Sequence, residues 1–405
     1  MPAYLREFKC IGAACSDNCC IGWDVEFDRK TWRKYQKIGD PEFRKLFEKN
    51  VYVNRHSFSP EVDHAKVRLA KDKRCPFLNP DGLCVIQAKF GEEYLSNVCA
   101  AYPRYTNEID GMLEHSANMS CPEAARLALL KPEGIRILED SAGLDARYII
   151  SMSIRTDDRN QGDLARYLHE LRDFSIFMIQ NRSYMLHDRI MMLGRFFAEL
   201  QRLEDTRRMS GIPRLIEEHR RKAAEGAKQK PARPAQADPA FSLRLIRELI
   251  DKLNVFTEVD SKRYVSLMEE VLKGIQYNRK ASPAENAKRY SLSARQYYEP
   301  FMEGHGFILE NYLVNFMFGN LFPALDVRRS YDAFIMLVLL YALVKFHLTG
   351  IAAYHRGLSE MQAVEFIQVF SKTVEHHKTY LETITEYVKK KKIDTPEYME
   401  ILISN

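Results

Sequence analysis

The sequence predicts a mainly α-helical protein, with a loop-rich cysteine metal-binding module at the N-terminus followed by a multi-helix domain. All eight cysteines of the 405-residue chain lie within its first 121 residues. They stand among turn formers, as in the segment from Cys75 to Cys84, which contains two prolines and a glycine. After Cys121, apolar residues recur mostly at three- and four-residue steps, the pattern of a core-facing helix. No strand-like alternation of useful length is visible.

Composition indicates a globular chain of two or three domains, with 46% hydrophobic and 28% charged residues. The net charge of +5 is small, and Lys and Arg are matched by nearby Asp and Glu. Without a sustained basic stripe, we expect no nucleic-acid partner. Met1 to Lys9 has no apolar signal core, which favours a cytoplasmic location and reduced thiols. The apolar run Ala333 to Leu343 is soon followed by Lys345 and falls short of the about 20 residues of a membrane span. It therefore predicts a buried helix and no membrane insertion.

Cysteines collected at one end, including an adjacent pair, indicate a shared task such as holding metal. Their spacing gives neither two Cys-x2-Cys pairs nor the run of a two-cluster ferredoxin. Thiolates select zinc or iron–sulfur clusters, so both stay open from the residues alone. One such centre uses four ligands, so the eight thiols form two sites, or four of them are structural. The candidate metal ligands are Cys10, Cys15, Cys19, Cys20, Cys75, Cys84, Cys99 and Cys121.

Two short helices are expected in the cysteine-rich part, Thr31 to Ile38 and Pro41 to Lys49, the second with Asp40 as its N-cap. The rest of this part reads as loops that cannot rely on a large apolar core. Metal ligation would then supply the missing stability, because ligand binding that needs the folded site adds to the free energy of folding.

The remainder reads as helices. A long amphipathic segment from Asp163 to about Arg208 has a break at Asn181 to Ser183, and Ser359 is expected to begin the last helix. Arg220 to Pro239 has no large apolar residue and three prolines, which predicts a linker or surface loop. We therefore predict a cysteine-rich metal module over 1–130, a helical region over 131–222, a linker over 223–240 and a helical domain over 241–405. The other predicted helices start at Pro122 and cover 241–256, 261–275, 284–299, 307–318, 331–348 and 359–390.

The motifs around the thiols resemble a bacterial family of zinc- or iron-chelating proteins with eight cysteines. The resemblance covers about 130 residues and includes Cys75-Pro-Phe-Leu and Cys99-Ala-Ala-Tyr-Pro. With the helical extension, the chain further resembles the flagellin lysine-N-methylases, in which such a module is fused to an α-helical region. Glu310-Asn-Tyr-Leu-Val-Asn315 and Phe322-Pro323 fit their C-terminal pattern. The Cys10-x4-Cys15-x3-Cys19 spacing is wider than that of the shorter family members, which leaves the ligand assignment in this loop open. The other matching segments are the cysteines from Cys10 to Cys20 with Gly22-Trp23-Asp24, Gly82-Leu-Cys84-Val-Ile, and Cys121-Pro-Glu-Ala-Ala-Arg126.

The resemblance implies methyl transfer from S-adenosylmethionine to lysine ε-amino groups of flagellin, with a [4Fe-4S] cluster on some of the cysteines and zinc as the alternative metal. On a helix, Asn311 and Asn315 share a face with Tyr312 beside it, and burying such groups unpaired is costly. They either cap backbone or line a cofactor pocket. The sequence identifies no catalytic residue. A non-catalytic metal-binding protein or metallochaperone with a helical interaction domain is the alternative function. The cofactor-binding candidates are Glu310, Asn311, Tyr312 and Asn315.

Overall fold

The computed structural model describes residues 1–139, 147–157, 164–225, 238–256, 259–324, 329–377 and 379–404. It is 60% helix and 8% strand, which confirms the mainly α prediction. The chain divides into two compact units. The front unit contains residues 1–124 and 137–153, and the helical unit contains residues 125–136 and 154–405.

The front unit has more regular structure than the sequence indicates. Asp40 accepts a hydrogen bond from the Phe43 N–H at 2.8 Å, which confirms it as the N-cap of the second helix. The two helices that the sequence did not predict here, α3 and α4, are only six and five residues long, too short to show a periodicity. The elements are β1 (Glu26–Phe27), α1 (Arg29–Gln36), α2 (Pro41–Asn50), β2 (Val51–Val53), β3 (Ala65–Val67), α3 (Val85–Phe90), α4 (Asn97–Ala101), β4 (Arg104–Ile109), β5 (Met112–Ala117) and β6 (Ile150–Ile154). The chain passes into the helical unit within α5 (Pro122–Leu129), most of which belongs to that unit.

The expectation that this part lacks an apolar core is wrong. Phe27, Tyr35 and Phe43 are buried and meet edge to face, with ring centroids 5.1 and 5.4 Å apart. Each buried aromatic side chain removes about 150–250 Å² from water, so a few of them make a core even in a short chain. Cys75 belongs to this core, and Cys20, Cys84 and Cys99 pack against it.

The expectation of no useful strands is also wrong. The front unit contains two three-stranded sheets, in the orders β1-β3-β2 and β5-β4-β6. β4 and β5 form a hairpin in which Ile109 pairs with Met112 around Asp110 and Gly111, both at positive φ. Asp-Gly is the signature of such a two-residue turn, and the sequence did carry that signal. Strands of two or three residues, such as β1 and β2, are too short to show alternation.

The helical unit follows the predicted pattern closely. The break at Asn181 to Ser183 is confirmed, because α6 ends at Gln180 and α7 begins at Leu186. Ser359 and Gln362 form a capping box, which confirms the predicted start at Ser359. The helices are α6 (Leu168–Gln180), α7 (Leu186–Asp205), α8 (Ile212–Glu225), α9 (Pro239–Asp251), α10 (Lys262–Gly274), α11 (Pro283–Ser293), α12 (Glu299–His305), α13 (Phe307–Gly319), α14 (Ser330–His355), α15 (Glu360–Phe370), α16 (Tyr380–Lys390) and α17 (Pro396–Ser404).

Two predicted helices are interrupted by π-helical turns, which continue α11 over Ala294–Tyr298 and α15 over Ser371–Glu375. The predicted single helix over 359–390 is therefore two helices, because α16 begins only at Tyr380. π-turns have no strong sequence signature and often lie at functional sites. Most of the predicted linker, residues 226–237, lies outside the described residues.

α14 is the central helix of this unit. It is long and apolar enough to pass a membrane-span test, but 89% of its apolar window is buried inside the protein. It crosses α10 at Gly274 and Gly350, where a Cβ on Gly274 would lie 2.0 Å from the Gly350 carbonyl oxygen. The two backbones therefore meet directly, as only glycine permits.

Candidate functional site

Asn18 ties the first cysteine loop to the Cys75–Cys84 loop. Its Nδ2 donates to the Gly82 carbonyl at 2.8 Å, and its Oδ1 accepts from the Cys20 N–H at 2.8 Å. The Cys75 N–H also donates to the Cys20 carbonyl at 2.8 Å. These bonds bring together cysteines that are 55 or more residues apart in the sequence.

The Cys75–Cys84 loop closes on itself. The Val85 N–H donates to the Phe77 carbonyl at 2.7 Å, and Leu83 N–H donates to Asn79 Oδ1 at 2.8 Å. Gly82 has φ +78°, which explains a glycine at this turn. Cys84 lies two residues after Gly82 and directly precedes Val85, the first residue of α3.

Cys20 and Cys84 behave as a pair. The Cys20 thiol donates to the Cys84 sulfur, which lowers the pKa of Cys84 to about 6, against burial and with help from the backbone N–H groups of Gln87 and Ile86. Hydrogen bonding to Cys19 and Cys84 raises the pKa of Cys20 far above its usual range. Within this pair, Cys84 is therefore the thiol that ionises first.

Cys75 and Cys99 lie within electrostatic reach of that pair. Burial, together with the charges on Cys84 and Cys19, raises the pKa of Cys75 to about 11, against a hydrogen bond from the Phe77 backbone N–H. Burial also raises the pKa of Cys99 to about 12, opposed by the Ser96 hydroxyl and reinforced by Cys84, Cys75 and Cys19. We call Cys20, Cys75, Cys84 and Cys99 the inner thiols.

The remaining cysteines are Cys10, Cys15, Cys19 and Cys121, and the charge on Cys19 acts on both Cys15 and Cys121. Burial raises the pKa of Cys15, and the charges on Cys10 and Cys19 add to this. Burial and then the charges on Cys15 and Cys19 raise the pKa of Cys121 to about 12, opposed by two backbone N–H groups. Cys10 and Cys19 are exposed. These four are the outer thiols.

Trp23 lies three residues after Cys20 and fixes the first cysteine loop through two contacts. Its Nε1 donates to the Cys19 carbonyl at 2.6 Å, and its ring meets Tyr102 edge to face at 5.1 Å.

The donor chemistry suits a thiolate-bound metal centre. Buried thiols that repel one another's charge stay protonated unless a cation compensates, and a coordinating metal deprotonates them outright. Within the described part of the chain, no three or more His, Cys, Asp or Glu side chains converge to hold a metal ion. A zinc ion with Zn–S bonds of about 2.3 Å would need sulfurs about 3.8 Å apart, whereas a four-iron cluster spaces its thiolates more widely.

The second candidate set lies on α13, and its first member is engaged in a buried ion network. Glu310 Oε1 lies 2.7 Å from Arg182 Nη2, and Oε2 lies 2.7 Å from Arg189 Nη1. Arg189 also donates to the carbonyls of Ile179 and Tyr184. Gly134 packs against this network at φ +90°, where a Cβ would lie 3.1 Å from Glu310 Oε1. Glu310 therefore has charge partners that the sequence analysis missed.

Asn311 holds the end of α5. Its Nδ2 donates to the carbonyls of Leu129 and Lys131, at 3.1 and 2.9 Å. Its Oδ1 is buried and has no hydrogen-bond partner among the described residues. The Asn311 Nδ2 thus caps backbone carbonyls, whereas its Oδ1 is a buried acceptor that can take a hydrogen bond from a ligand.

Tyr312 donates its hydroxyl to Glu375 in the second π-turn, and Ser371 donates to the same carboxylate at 2.8 Å. Burial raises the pKa of Glu375 against both hydrogen bonds. Glu375 was not among the predicted residues, because nothing local in the sequence pairs it with Tyr312. Asn315 is buried on the same helix, 6% exposed.

Comparison with known proteins adds the family. The FliB lysine N-methylase C-terminal domain family matches residues 172–402, which is more than half of the chain. The chain belongs to this family. The predicted resemblance to the lysine-N-methylases is thereby confirmed.

Individual relatives of this FliB-family chain share about 30% sequence identity with it over 139 residues. The flagellar biosynthetic protein FliU of Salmonella muenchen is 30% identical over 139 residues, which is 34% of this chain and 80% of that protein. The lysine-N-methylases of Salmonella typhimurium and Salmonella choleraesuis are each 29% identical over 139 residues. The match spans about a third of the length of these two relatives, 34%. No solved structure matches the chain.

The family match includes α13 and its partners Arg182, Arg189 and Glu375. The inner and outer thiols all precede residue 172. The family assignment therefore bears on the helical unit, and the chemistry of the thiols rests on the front unit itself.

Proposed function

We propose that this protein transfers methyl groups from S-adenosylmethionine to lysine ε-amino groups of flagellin in the cytoplasm. The observation that carries the proposal is the family match to residues 172–402. The names of the relatives, a flagellar biosynthetic protein and lysine-N-methylases, support the substrate class. In the transfer, the neutral amine attacks the sulfonium methyl group, S-adenosylhomocysteine leaves, and the amine loses its proton to a base.

A [4Fe-4S] cluster on the inner thiols is the second part of the proposal. Asn18 bonds to Cys20 and to the loop that carries Cys75 and Cys84, and all four inner thiols lie in or against the aromatic core. Such a cluster would supply redox chemistry or a Lewis-acidic iron. The protein's own contribution is the rigid loop pair and the hydrogen bond that makes Cys84 the first thiolate.

For the methyl donor, we propose the polar face of α13. Glu310 is already neutralised by two arginines, so it acts by positioning the helix. Asn311 contributes the free Oδ1 as an acceptor for an N–H of the donor, with Tyr312 and Asn315 beside it. Asn311→Ala should weaken S-adenosylmethionine binding in calorimetry by about tenfold, because a buried hydrogen bond of about 1.5 kcal/mol is lost. Asn320→Ala is the control, because Asn320 directly follows α13 and its half-buried side chain donates to the Phe316 carbonyl at 2.9 Å.

The deciding experiment is transfer of labelled methyl groups to purified flagellin by anaerobically prepared protein. Iron and sulfide are counted in the same preparation, together with zinc and the visible spectrum. Cys84→Ser and Cys99→Ser should lower iron and sulfide and reduce transfer, while Cys10→Ser, an exposed outer thiol, should leave both in place. An iron-loaded preparation that transfers nothing would refute the enzymatic proposal.

The exposed thiols of Cys10 and Cys19 favour one competing function, a metal carrier without turnover. A carrier releases its metal to a competing chelator within minutes, whereas a buried cluster holds it. Rapid release together with no methyl transfer would support the carrier.

A further inference from the structure

The loop after β2 is built to present one aromatic side chain. The buried Asp63 carboxylate accepts from the Ser57 hydroxyl at 2.7 Å and from the N–H groups of Ser59 and Phe58 at 3.0 and 3.1 Å. These bonds, the Ser57 hydroxyl first, lower the pKa of Asp63, so the carboxylate stays ionised and the loop stays ordered. At its tip, Phe58 is 99% exposed. The Asp63 bonds therefore hold the backbone that carries this exposed ring.

β2 beside it is an open sheet edge. Asn54 N–H donates to the His64 carbonyl, and Arg68 N–H donates to the Asn50 carbonyl, so the even-numbered residues of β2 bond to β3. By alternation, the N–H and C=O of Val53 point away from β3, toward the open edge. Tyr52 and Val53 are each 46% exposed. In the sheet order β1-β3-β2, β2 is an edge strand, and no further strand pairs with it among the residues that the structure describes.

The preceding helix adds positive charge. Arg44, Lys45 and Lys49 lie on the exposed face of α2 and line a shallow groove with Gly39, Pro41 and Glu48. The two acids at the start of α2 are engaged elsewhere, because Lys89 Nζ lies 3.3 Å from Asp40 and 3.0 Å from Glu42. We call Arg44, Lys45, Lys49, Tyr52, Val53 and Phe58 the α2–β2 surface.

Building on the proposed function, we propose that the α2–β2 surface docks an extended, acidic segment of the protein substrate. The segment adds to β2 as a further strand through Val53, places an apolar side chain against Phe58, and directs carboxylates at Arg44 and Lys49. Strand addition of this kind takes its affinity from main-chain hydrogen bonds and its specificity from side-chain contacts. An open β-edge pairs with another polypeptide backbone and not with a nucleic acid.

The first test separates docking from chemistry. Steady-state methyl transfer is measured for flagellin and for N-acetyl-lysine methylamide, which is too small to reach the surface. Phe58→Ala should raise KM for flagellin at least fivefold, leave its kcat unchanged and leave the small substrate unaffected. Leu292→Ala, which removes another exposed side chain, 54% exposed on α11, is the matched control and should change neither constant.

A second variant tests the strand itself. Val53→Pro removes the outward N–H, and proline is tolerated at an edge strand at such a position, so the melting temperature should stay near that of the unmodified protein. KM for flagellin should rise, whereas Val53→Thr, which keeps the N–H, should behave as unmodified protein. Arg44→Glu should raise KM, and higher salt should weaken flagellin binding less in this variant than in the unmodified protein.

The outcomes distinguish the two proposals. If the unmodified protein methylates neither substrate, the proposed function fails and the docking proposal fails with it. If it methylates both and Phe58→Ala keeps the same KM for flagellin, only the docking proposal is overturned. Two other results would overturn the docking proposal. If sedimentation shows a dimer, and Phe58→Ala abolishes the dimer without changing KM, the surface binds a second copy of this chain. If the protein binds a DNA probe, and Phe58→Ala abolishes that binding, the surface binds nucleic acid.

Discussion

The role of Glu310 gives the sharpest prediction about the helical unit. Its side chain is 2% exposed, and Arg189, one of its two partners, is 10% exposed. Glu310→Ala would leave the Arg189 guanidinium buried without a counter-charge. Removing one partner of a buried ion pair costs about 3–5 kcal/mol. Arg189 keeps its bonds to two backbone carbonyls, and Arg182 is 43% exposed and can rehydrate, so we expect the lower end, about 3 kcal/mol.

The assay is urea unfolding followed by circular dichroism at 222 nm. With a slope of about 3 kcal/mol per molar urea, the midpoint should fall by about 1 M. Glu310→Gln keeps the shape of the side chain and one hydrogen-bond acceptor, so the urea midpoint of this variant should fall by less than that of Glu310→Ala. Glu218→Ala, which breaks an exposed pair with Arg214 on α8, is the control and should leave the midpoint unchanged.

A midpoint that stays in place for Glu310→Ala would refute this reasoning. If the same variant also lost S-adenosylmethionine binding, Glu310 would be a direct ligand of the donor and not the centre of a structural ion network.

Three further predictions concern the core of the helical unit. Burial lowers the pKa of His347 to about 4. Between pH 6.5 and 4, His347 is therefore protonated in the unfolded chain but stays neutral in the folded state. The stability loss from pH 7 to pH 4 should therefore be about 3 kcal/mol smaller in His347→Gln, measured by urea unfolding at both pH values. A loss equal to that of the unmodified protein would show that His347 is not the group concerned. Burial lowers the pKa of Lys345 to about 8, so its charge opposes folding at neutral pH. Lys345→Met should raise the free energy of unfolding at pH 7 by about 3 kcal/mol, and the gain should disappear as the pH rises through 10.5; a gain that persists at pH 11 would contradict this account. Gly350→Ala would place a Cβ 2.6 Å from Val271 Cγ1 and 2.8 Å from the Val271 carbonyl. Because backbone has to move, calorimetry should show a loss of more than 2 kcal/mol, whereas Gly304→Ala, in open space, should show none.

Much of the helical unit was predictable, because its signals are local. Apolar periodicity located α6 and α7 with the break between them, and cap chemistry at Asp40 and Ser359 placed two helix starts. Local signals fail where geometry is not periodic. The π-turns that interrupt the predicted helices, and strands as short as β2, leave no repeat to detect.

The candidate site also has a part that local sequence signals predicted and a part that they did not. Polarity marked Glu310, Asn311 and Tyr312 on an otherwise apolar helix, but their partners are remote in sequence. Arg182 lies 128 positions from Glu310, and Glu375 lies 63 positions from Tyr312. Complementary charges at such separations show no pattern in one sequence, so only the folded chain pairs them.

The sequence by itself determined that this is a mainly helical chain with all its thiols at one end, and its motifs determined the family. Those features are a matter of residue type and order. Only the tertiary structure decided which thiols share a proton, that Cys84 ionises before Cys20, and that Glu310 is held by two arginines. The reason is that burial, hydrogen bonding and charge set the state of a side chain, and these depend on contacts closed across long stretches of chain. The sequence places the eight cysteines at one end of the chain, and the fold sorts them into inner and outer thiols.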